Sequence, residues 1–444
     1  MYLNMSNYCK HQIDLGRLIQ ETMQHVGLTL NQSETAVVRA PAFFEKIGTL
    51  LASYSPRVLA NYVLSRQVIE KTMFLPKVIR NIRFKYMEAL YGSVTEPPRW
   101  QTCSDHVKYR LPEVVGRLFV KEAFKNGSRT DVLDLISNLR TSFKVMIGNL
   151  KWMDNATKEV AKEKVDHMTS RIGYSDIIYN NTALNELYVN YTITKDNPMK
   201  TLINFGQAAV IRQLLNLRKN VNKERWHMSP ATVNAYYEME ANQITFPAAI
   251  LQPPFYSFDQ PAYLNYGGIG YVIGHEITHG FDEVGRHYDK AGALNSWWSE
   301  TNAANFKARA QCFMDQYNNF TIQETGNSTT SGIKSQGENI ADNGGIRQSF
   351  YAYREWVRTS RRGKEEESLP GMNYTPNQLF FLNAAQIWCE KIRDHAKVER
   401  LLTGSHAINM FRVYGPLQNF DEFSHAWNCS AGSFMNPSNK CSVW

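Results

Sequence analysis

The sequence predicts a mainly α-helical, α+β protein, and three observations lead to this fold class. Apolar residues recur at helical spacing through most of the chain before about residue 195. Short extended runs occur between Thr232 and Ile250. Two later motifs carry polar residues at positions i and i+4, which share one face of a helix. With 444 residues, the chain can bury a sizeable core, and we expect two lobes.

The first half is predicted to be helical because apolar positions alternate with good helix formers at helical spacing. Pro112 suits the first turn of such a helix. The predicted helices are 40–53, 56–91, 112–124, 129–150 and 155–172.

The stretch from Thr232 to Ile250 indicates two short strands joined by the polar turn 238–241. An edge strand here could bind an extended peptide by strand addition, using main-chain hydrogen bonds. We therefore expect a small sheet beside the helices.

The most informative motif is His275-Glu276-Ile277-Thr278-His279. On a helix, His275 and His279 present two imidazoles to one cation, and Glu276 lies beside them to accept the proton of a water molecule. A chance match is the alternative, and it is expected in about a percent or two of such chains. The motif predicts a zinc site that needs a third ligand.

Glu338 and Asp342 form the second motif, again at i and i+4. Catalytic zinc commonly takes two His and one carboxylate and leaves one position for water, so Glu338 suits the third ligand. Asp342 suits a supporting role, accepting the free N–H of one ligand imidazole. An ordinary solvated helix face is the alternative interpretation.

Together these residues resemble the M13 family of neprilysin-like, endothelin-converting-enzyme-like zinc metallopeptidases. The similarity extends over segments on both sides of the two motifs. They are 233–237, 242–248, 251–255, 264–270, 281–282, 289–290, 295–298, 337–345, 379–381, 386–389 and 441–444. The resemblance implies a thermolysin-like zinc catalytic domain at 196–444. It also implies a helical lobe at 1–195 that covers the active site and is incomplete at its N-terminus.

The resemblance implies roles for individual residues. It implies one zinc ion per chain, held by His275, His279 and Glu338. The implied catalytic residues are Glu276, His406 and Asp342. The implied substrate-binding residues are Asn234, Ala235 and Arg412, with an apolar pocket for the residue after the scissile bond formed by Ile250, Phe255, Val272, Ile387 and Trp388. Without the resemblance, the alternating run 410–414 favours plain strand surface for His406 and Arg412, and spacing alone assigns the five apolar pocket residues to the core.

The function predicted from this resemblance is a zinc-dependent endopeptidase that cuts oligopeptides before large apolar residues. The runner-up is a non-catalytic, truncated family member that binds peptides or a partner. An unrelated aminopeptidase with the same zinc motif is disfavoured, because no motif for binding a substrate's terminal amine is evident.

The cysteines and glycosylation motifs favour the secretory pathway, with an extracellular or cell-surface location. By resemblance, Cys312 and Cys441 form a disulfide. Three others, Cys103, Cys389 and Cys429, match family cysteines whose partners lie in an N-terminal segment that this chain does not contain. We therefore expect a truncated product, an incomplete gene model or an isolated domain; Cys9 has no counterpart. Asn-x-Ser/Thr acceptors occur at residues 4, 31, 126, 155, 180, 190, 319, 327, 373 and 428.

The net charge of +8 is scattered along the chain, and the basic run 361–364 is followed by the acidic run 365–367. We therefore expect no nucleic-acid partner. No apolar run reaches the length needed to cross a membrane, and residues 1–10 lack the apolar stretch of a signal peptide.

Overall fold

The computed structural model describes residues 2–4, 14–31, 33–38, 40–125, 127–220 and 222–444. The chain forms two compact units. One comprises the residues up to Ala89 together with Asn185–Lys223, and the other comprises Leu90–Leu184 and Glu224–Trp444. The predicted division at residue 195 stays a prediction, and the unit boundaries differ from it: helices between 90 and 184 pack with the second half of the chain.

The described residues form eighteen α-helices. They are α1 (Leu15–Gln24), α2 (Pro41–Ala52), α3 (Pro56–Lys71), α4 (Lys77–Tyr91), α5 (Arg99–Arg110), α6 (Pro112–Ala123), α7 (Ser128–Asn149), α8 (Asn155–His167), α9 (Asn181–Leu187), α10 (Pro198–Leu214), α11 (Ala262–Asn265), α12 (Tyr271–His279), α13 (Glu300–Asn318), α14 (Gln336–Ser360), α15 (Pro376–Gln386), α16 (Asp394–Thr403), α17 (Asn409–Gln418) and α18 (Asp421–Ala426).

Short strands complete the fold. They are β1 (Tyr2–Asn4), β2 (Thr35–Val37), β3 (Thr169–Gly173), β4 (Tyr236–Glu238), β5 (Gln243–Pro247), β6 (Thr321–Ile322) and β7 (Ser328–Thr329). The three-stranded sheet has the order β3-β5-β4, with β5 parallel to β3 and antiparallel to β4. The mainly α fold class with a small sheet is confirmed. The covering of the active site by a helical lobe stays a prediction.

The structure corrects two of the predicted helices. The predicted helix 56–91 is interrupted after Lys71, and α4 starts anew at Lys77 after Pro76, a residue that cannot continue a helix interior. The predicted helix 155–172 ends at His167, and its last residues belong to β3. Those residues form a strand because they pair with β5, about 70 positions later in the chain. The local spacing of apolar residues cannot predict pairing between such distant segments.

The core of the second unit lies between α7, α12 and α14. Val132, Leu139 and Phe143 of α7 are fully buried, and α14 is buried along most of its first four turns. Helix α12 is entered without a break from α11 through a π-helical turn at Tyr266–Gly270. Such turns widen a helix locally and often lie next to functional sites.

Helices α12 and α14 cross at backbone contact. A Cβ atom added to Gly345 would lie 2.6 Å from the backbone nitrogen of His275, and one added to Gly274 would lie 2.6 Å from the carbonyl oxygen of Gly345. Glycine is therefore required on both sides of the crossing. This close approach brings the two sequence motifs together.

The C-terminal residues are tied to the second unit. The expected disulfide between Cys312 and Cys441 is present. The Trp444 side chain is buried against Phe143, Phe281 and Phe306. Among the described cysteines, Cys103 and Cys389 are exposed free thiols and Cys429 is a partly buried one. Cys9 and Asn126 lie outside the described residues.

In the part of the chain that the structure describes, no helix combines the length and the apolar character needed to cross a bilayer.

Candidate metal centre

Helix α12 carries the first motif on a buried face. Residues 271–278 are all buried, and the i and i+4 spacing points both imidazoles to the same side of the helix. The Nε2 atoms of His275 and His279 lie 2.9 Å apart.

Glu338, in the first turn of α14, completes a three-residue cluster. Its Oε2 atom lies 3.2 Å from His275 Nε2 and 3.5 Å from His279 Nε2. That oxygen is buried and makes no hydrogen bond with acceptable geometry to any described residue. The alternative of a solvated helix face is therefore wrong for Glu338 and also for Asp342, which is completely buried.

The cluster fits a tetrahedral divalent ion. Ligand atoms about 2.0–2.1 Å from such an ion are about 3.3 Å apart, close to the three separations found here. Both His275 and His279 direct their other ring nitrogen, Nδ1, at a carboxylate, so each neutral ring would donate there and leave Nε2 with a lone pair. Three lone-pair atoms then face one another, an arrangement that needs a cation among them.

The carboxylates behind the two rings are Asp342 and Asp282. Asp342 Oδ1 lies 2.8 Å from His275 Nδ1, and Asp282 Oδ2 lies 2.7 Å from His279 Nδ1. Asp282 is itself fixed by the backbone N–H groups of Val284 and Gly285, which donate to its Oδ1 at 2.8 and 2.7 Å. The sequence prediction assigned no role to Asp282, although its position three residues after His279 was the signal that could have revealed it.

Carboxylates next to the two imidazoles change the pKa values of the groups in this site. Burial and the neighbouring His279 oppose protonation of His275, but Asp342 and Glu338 raise its pKa above the ordinary value. Burial opposes ionisation of Glu338, yet its contacts with His275, His279 and His406 lower its pKa far below the ordinary range. The cluster therefore stabilises positive charge at its centre.

Glu276 lies in the same buried helix turn as the two ligands. Burial raises its pKa above the ordinary value, because the ionised carboxylate loses hydration. A carboxylate that is a stronger base than usual, next to two candidate metal ligands, suits the transfer of a proton.

Arg412 lies behind the cluster, and the strand interpretation of 410–414 is wrong because these residues lie in α17. The guanidinium is buried and donates two hydrogen bonds to Asp342, both of 2.8 Å. It also lies 3.9 Å from the centre of the Trp388 ring, at cation–π distance. Its Nη2 atom is 3.8 Å from Glu338 Oε2, so one arginine links both motifs.

His406 lies at the solvent-accessible side of the cluster. Its Nε2 atom is 3.1 Å from Glu338 Oε2, and half of its side chain is exposed. An imidazole in this position can reach both Glu338 and a molecule bound from solution.

The remaining predicted residues lie in the same unit as this centre. Asn234 is exposed and Ala235 is buried, directly before the edge strand β4. The predicted pocket residues are apolar side chains of the large core that surrounds α12: Ile250 and Val272 are buried, and Phe255, Ile387 and Trp388 are partly buried. Of these five, Trp388 also lines an apolar groove of about 550 Å³ between α15 and α17.

The comparison with known sequences decides the family. Two sequence models, both described as peptidase family M13, match residues 234–443 and residues 3–175. The chain belongs to peptidase family M13. The resemblance found in the sequence motifs is therefore confirmed.

The M13 chain is 41% identical to human neprilysin over 425 residues, which cover 96% of this chain and 56% of neprilysin. It is 39% identical to an endothelin-converting enzyme homolog of Locusta migratoria, with 95% of this chain and 58% of that protein covered. The chain thus spans a little over half the length of these relatives.

Solved structures of the same kind superpose on this M13 chain. The zinc metalloprotease Zmp1 of Mycobacterium tuberculosis, in complex with an inhibitor, matches with a TM-score of 0.84 and 30% identity, covering 92% of this chain and 61% of that one. PepO from Lactobacillus rhamnosis matches with a TM-score of 0.82 and covers 100% of this chain and 66% of that one. At 24% identity, the second likeness bears on the fold alone.

Proposed function

We propose that this M13 chain is a zinc-dependent endopeptidase that hydrolyses oligopeptides and prefers a large apolar residue after the scissile bond. The observation that carries the proposal is the meeting of His275, His279 and Glu338, with unshared electron pairs directed at one point. Membership of a peptidase family and the likeness to a zinc metalloprotease support zinc and peptide-bond hydrolysis.

Glu276 performs the proton transfers in this mechanism. A zinc ion held by the three ligands would acidify a water molecule and polarise the scissile carbonyl. Glu276 accepts a proton from the attacking water and returns it to the leaving amine. Glu276 suits both steps by its position, since it follows His275 in the same buried turn of α12.

His406 acts on the substrate carbonyl directly, and Arg412 acts from its buried position beside the cluster. His406 is half exposed and close to Glu338, so its imidazole can donate a hydrogen bond to the oxygen that gains negative charge. One such donor contributes about 3–4 kcal/mol in other hydrolases. Arg412 keeps Asp342 ionised and adds positive charge beside the cluster, where it would orient the substrate.

The peptide backbone would bind along β4, one of the two edge strands of the three-stranded sheet, directly after Asn234 and Ala235. Main-chain pairing is independent of side-chain identity, so selectivity has to come from a pocket. The five predicted apolar residues are suited to a large apolar side chain.

We also propose an extracellular or cell-surface location. The Cys312–Cys441 disulfide supports it, since such bonds persist in oxidising compartments. Oligopeptides would be the partners of the chain at that location.

The decisive experiment is the Glu276→Gln substitution, with Glu88→Gln on the exposed face of α4 as the matched control. Wild-type and Glu88→Gln proteins should cleave an internally quenched peptide, lose activity with a chelator, and contain about one zinc per chain. Glu276→Gln should lower kcat by about 10²–10⁴-fold while zinc content is unchanged. Near-normal activity in Glu276→Gln contradicts the mechanism.

The same assay distinguishes the non-catalytic alternative. Wild-type protein that binds zinc but cleaves no peptide in a set with Phe, Leu, Gly or Asp after the scissile bond would favour a binding function. Cleavage of the Gly and Asp peptides as fast as the Phe and Leu peptides would contradict the proposed preference.

A further inference from the structure

Lys164 is a completely buried lysine that the proposed mechanism does not use. It lies in α8, and its exposed fraction is 0%. Its Nζ atom donates to the backbone carbonyl oxygens of Gly280, Gly285 and Tyr288 at 2.6, 2.8 and 2.7 Å. We call these three oxygens the carbonyl cluster.

Each N–H donor of the Lys164 ammonium group has an acceptor in the carbonyl cluster. A lysine ammonium has three N–H donors and no acceptor, and each donor has one carbonyl oxygen here. The Phe281 and Trp297 rings lie 5.2 and 5.9 Å from Nζ and add cation–π attraction. Burial lowers the pKa of Lys164 to about 7, which the nearby Asp282 and Asp289 carboxylates oppose. Such a buried cation is costly unless it is fully hydrogen-bonded, as it is here.

All three carbonyls belong to the segment that follows the metal-binding helix. Gly280 is the C-terminal cap of α12, so the ammonium lies at the negative end of that helix dipole. The segment then turns back sharply and brings Gly285 close to the end of α12. A Cβ atom on Gly285 would lie 1.8 Å from the carbonyl oxygen of His279. Lys164 therefore holds this turn against α8.

A chain of hydrogen bonds connects Lys164 to the metal centre. Gly285 accepts from Lys164 through its carbonyl and donates its own N–H to Asp282 Oδ1. Asp282 Oδ2 in turn accepts from His279 Nδ1 at 2.7 Å. The orientation of the His279 ring thus depends on Asp282, and the position of Asp282 depends on the turn that Lys164 holds.

We propose that Lys164 is a positioning residue for the metal centre, which acts through the 280–288 turn and Asp282 to aim the His279 imidazole at the ion. The inference rests on the proposed zinc site but not on the peptidase reaction. Groups that orient a ligand imidazole typically change metal affinity by about 10–100-fold when removed.

The test is a double-mutant cycle of zinc affinity, measured by competition with a chromophoric chelator. Lys164→Met keeps the length of the side chain but removes all three donors. We expect it to lower zinc affinity about tenfold or more, and Asp282→Asn to lower it about 10–100-fold. Both substitutions act on His279, so their effects on zinc affinity should not add. The double variant should bind zinc only slightly more weakly than the weaker-binding single variant. Lys162→Met, two residues away on α8 and paired with Glu159, is the matched control and should bind zinc like wild type.

A second readout separates positioning from general stability. The visible absorption of the Co²⁺-substituted protein reports the ligand geometry, and it should change in Lys164→Met but not in Lys162→Met. Zinc affinity and a Co²⁺ spectrum equal to wild type in Lys164→Met, with only a lower Tm, overturn the inference. Additive losses in the double variant also overturn it.

Lys164→Gln covers the case in which the Met variant does not fold. The amide keeps two N–H donors but is shorter and uncharged, so we expect a smaller loss of zinc affinity, about threefold or more. Wild-type affinity in this variant overturns the inference. If the wild-type protein itself binds no zinc, the proposed function fails instead, so the two failures are distinguishable.

Discussion

At the scale of single residues, Asp342 links two functional groups, the His275 imidazole and the Arg412 guanidinium. Its two oxygens accept one hydrogen bond from His275 and two from Arg412, and the carboxylate is completely inaccessible to solvent. Burial alone would favour its neutral form, but the Arg412 charge and these hydrogen bonds lower its pKa. The Asp342 carboxylate therefore stays ionised in its buried position because Arg412 lies beside it.

Arg412→Met should destabilise the zinc-free protein by about 3–5 kcal/mol, because it leaves the buried Asp342 charge unpaired. Adding Asp342→Asn should recover part of that loss. Arg358→Met is the control, since Arg358 makes the same two-pronged contact with Glu355 at the surface, where solvent screens the pair, so its loss should cost far less. Urea denaturation measures the free energy of unfolding of each variant. Equal losses of stability in Arg412→Met and Arg358→Met would contradict a stabilising role of Arg412 towards the buried Asp342 charge.

Glu283 provides a pH-dependent test at the same scale. Its Oε2 atom is buried without a hydrogen-bond partner among the described residues, and burial together with Asp282 raises its pKa to about 7. Between about pH 4.5 and 7 the folded state therefore binds more protons than the unfolded state. The contribution of Glu283 to stability is then full below about pH 4.5 and is lost as the pH rises to about 7.

Glu283→Gln should accordingly raise the Tm of chelator-treated protein at pH 8 and change it little at pH 4.5. The gain in free energy of unfolding at pH 8 is at most about 3 kcal/mol, from about 1.4 kcal/mol per pKa unit. Glu88→Gln, on an exposed helix face, serves as the control in scanning calorimetry. A Tm difference that is the same at both pH values would show that the Glu283 carboxyl is not perturbed.

At the scale of elements, the crossing of α12 and α14 forms the metal centre. The motifs place two imidazoles on one helix and a carboxylate on another, but the three atoms meet only because the helices touch through Gly274 and Gly345. The distance between the helices is thus set by residues without side chains.

Gly345→Ala should destabilise the protein by about 1–3 kcal/mol and weaken zinc binding, because the added methyl group would lie 2.6 Å from the His275 backbone nitrogen. Gly148→Ala is the control: Gly148 lies in the last turn of α7, and its added methyl group would have only ordinary contacts, 3.8 Å from Lys162. That control should be neutral or stabilising by up to about 1 kcal/mol. Thermal unfolding measures the stability of both variants, and zinc titration measures their zinc affinity. Equal stability and equal zinc affinity in Gly345→Ala and Gly148→Ala would exclude a tight crossing.

At the scale of the whole molecule, the disulfide and the buried C-terminal residues close the second unit. Cys312 and Cys441 are 129 residues apart in the sequence. Arg347 of α14 supports the closure by donating to the carbonyl of Asn419 and to the Ser442 hydroxyl. A constraint on so long a segment restricts the unfolded chain strongly.

Replacing both Cys312 and Cys441 with Ala should lower the free energy of unfolding by about 5 kcal/mol in the chain-entropy estimate. Guanidinium denaturation under non-reducing conditions measures the loss. Cys103→Ala removes an exposed free thiol and is the control. A loss no larger than that of the control would mean that the disulfide does not constrain the unfolded state.

The sequence by itself determined the fold class, fewer than half of the eighteen described helices and the identity of the three candidate ligands. These features depend on short-range spacing: period 3.6 for helices, and i, i+4 for side chains on one face. The family resemblance added the disulfide, which is present, and the apolar pocket residues, which stay a prediction. Motifs at fixed positions carry information that local periodicity lacks.

Only the tertiary structure decided which elements meet. Strand β3 exists because β5 pairs with it, Arg412 is buried because α17 packs behind the metal centre, and Lys164 reaches a turn that follows it by more than 110 residues. These contacts join residues far apart in the chain, so they depend on the packing of the whole unit and have no local pattern by which a single sequence could reveal them.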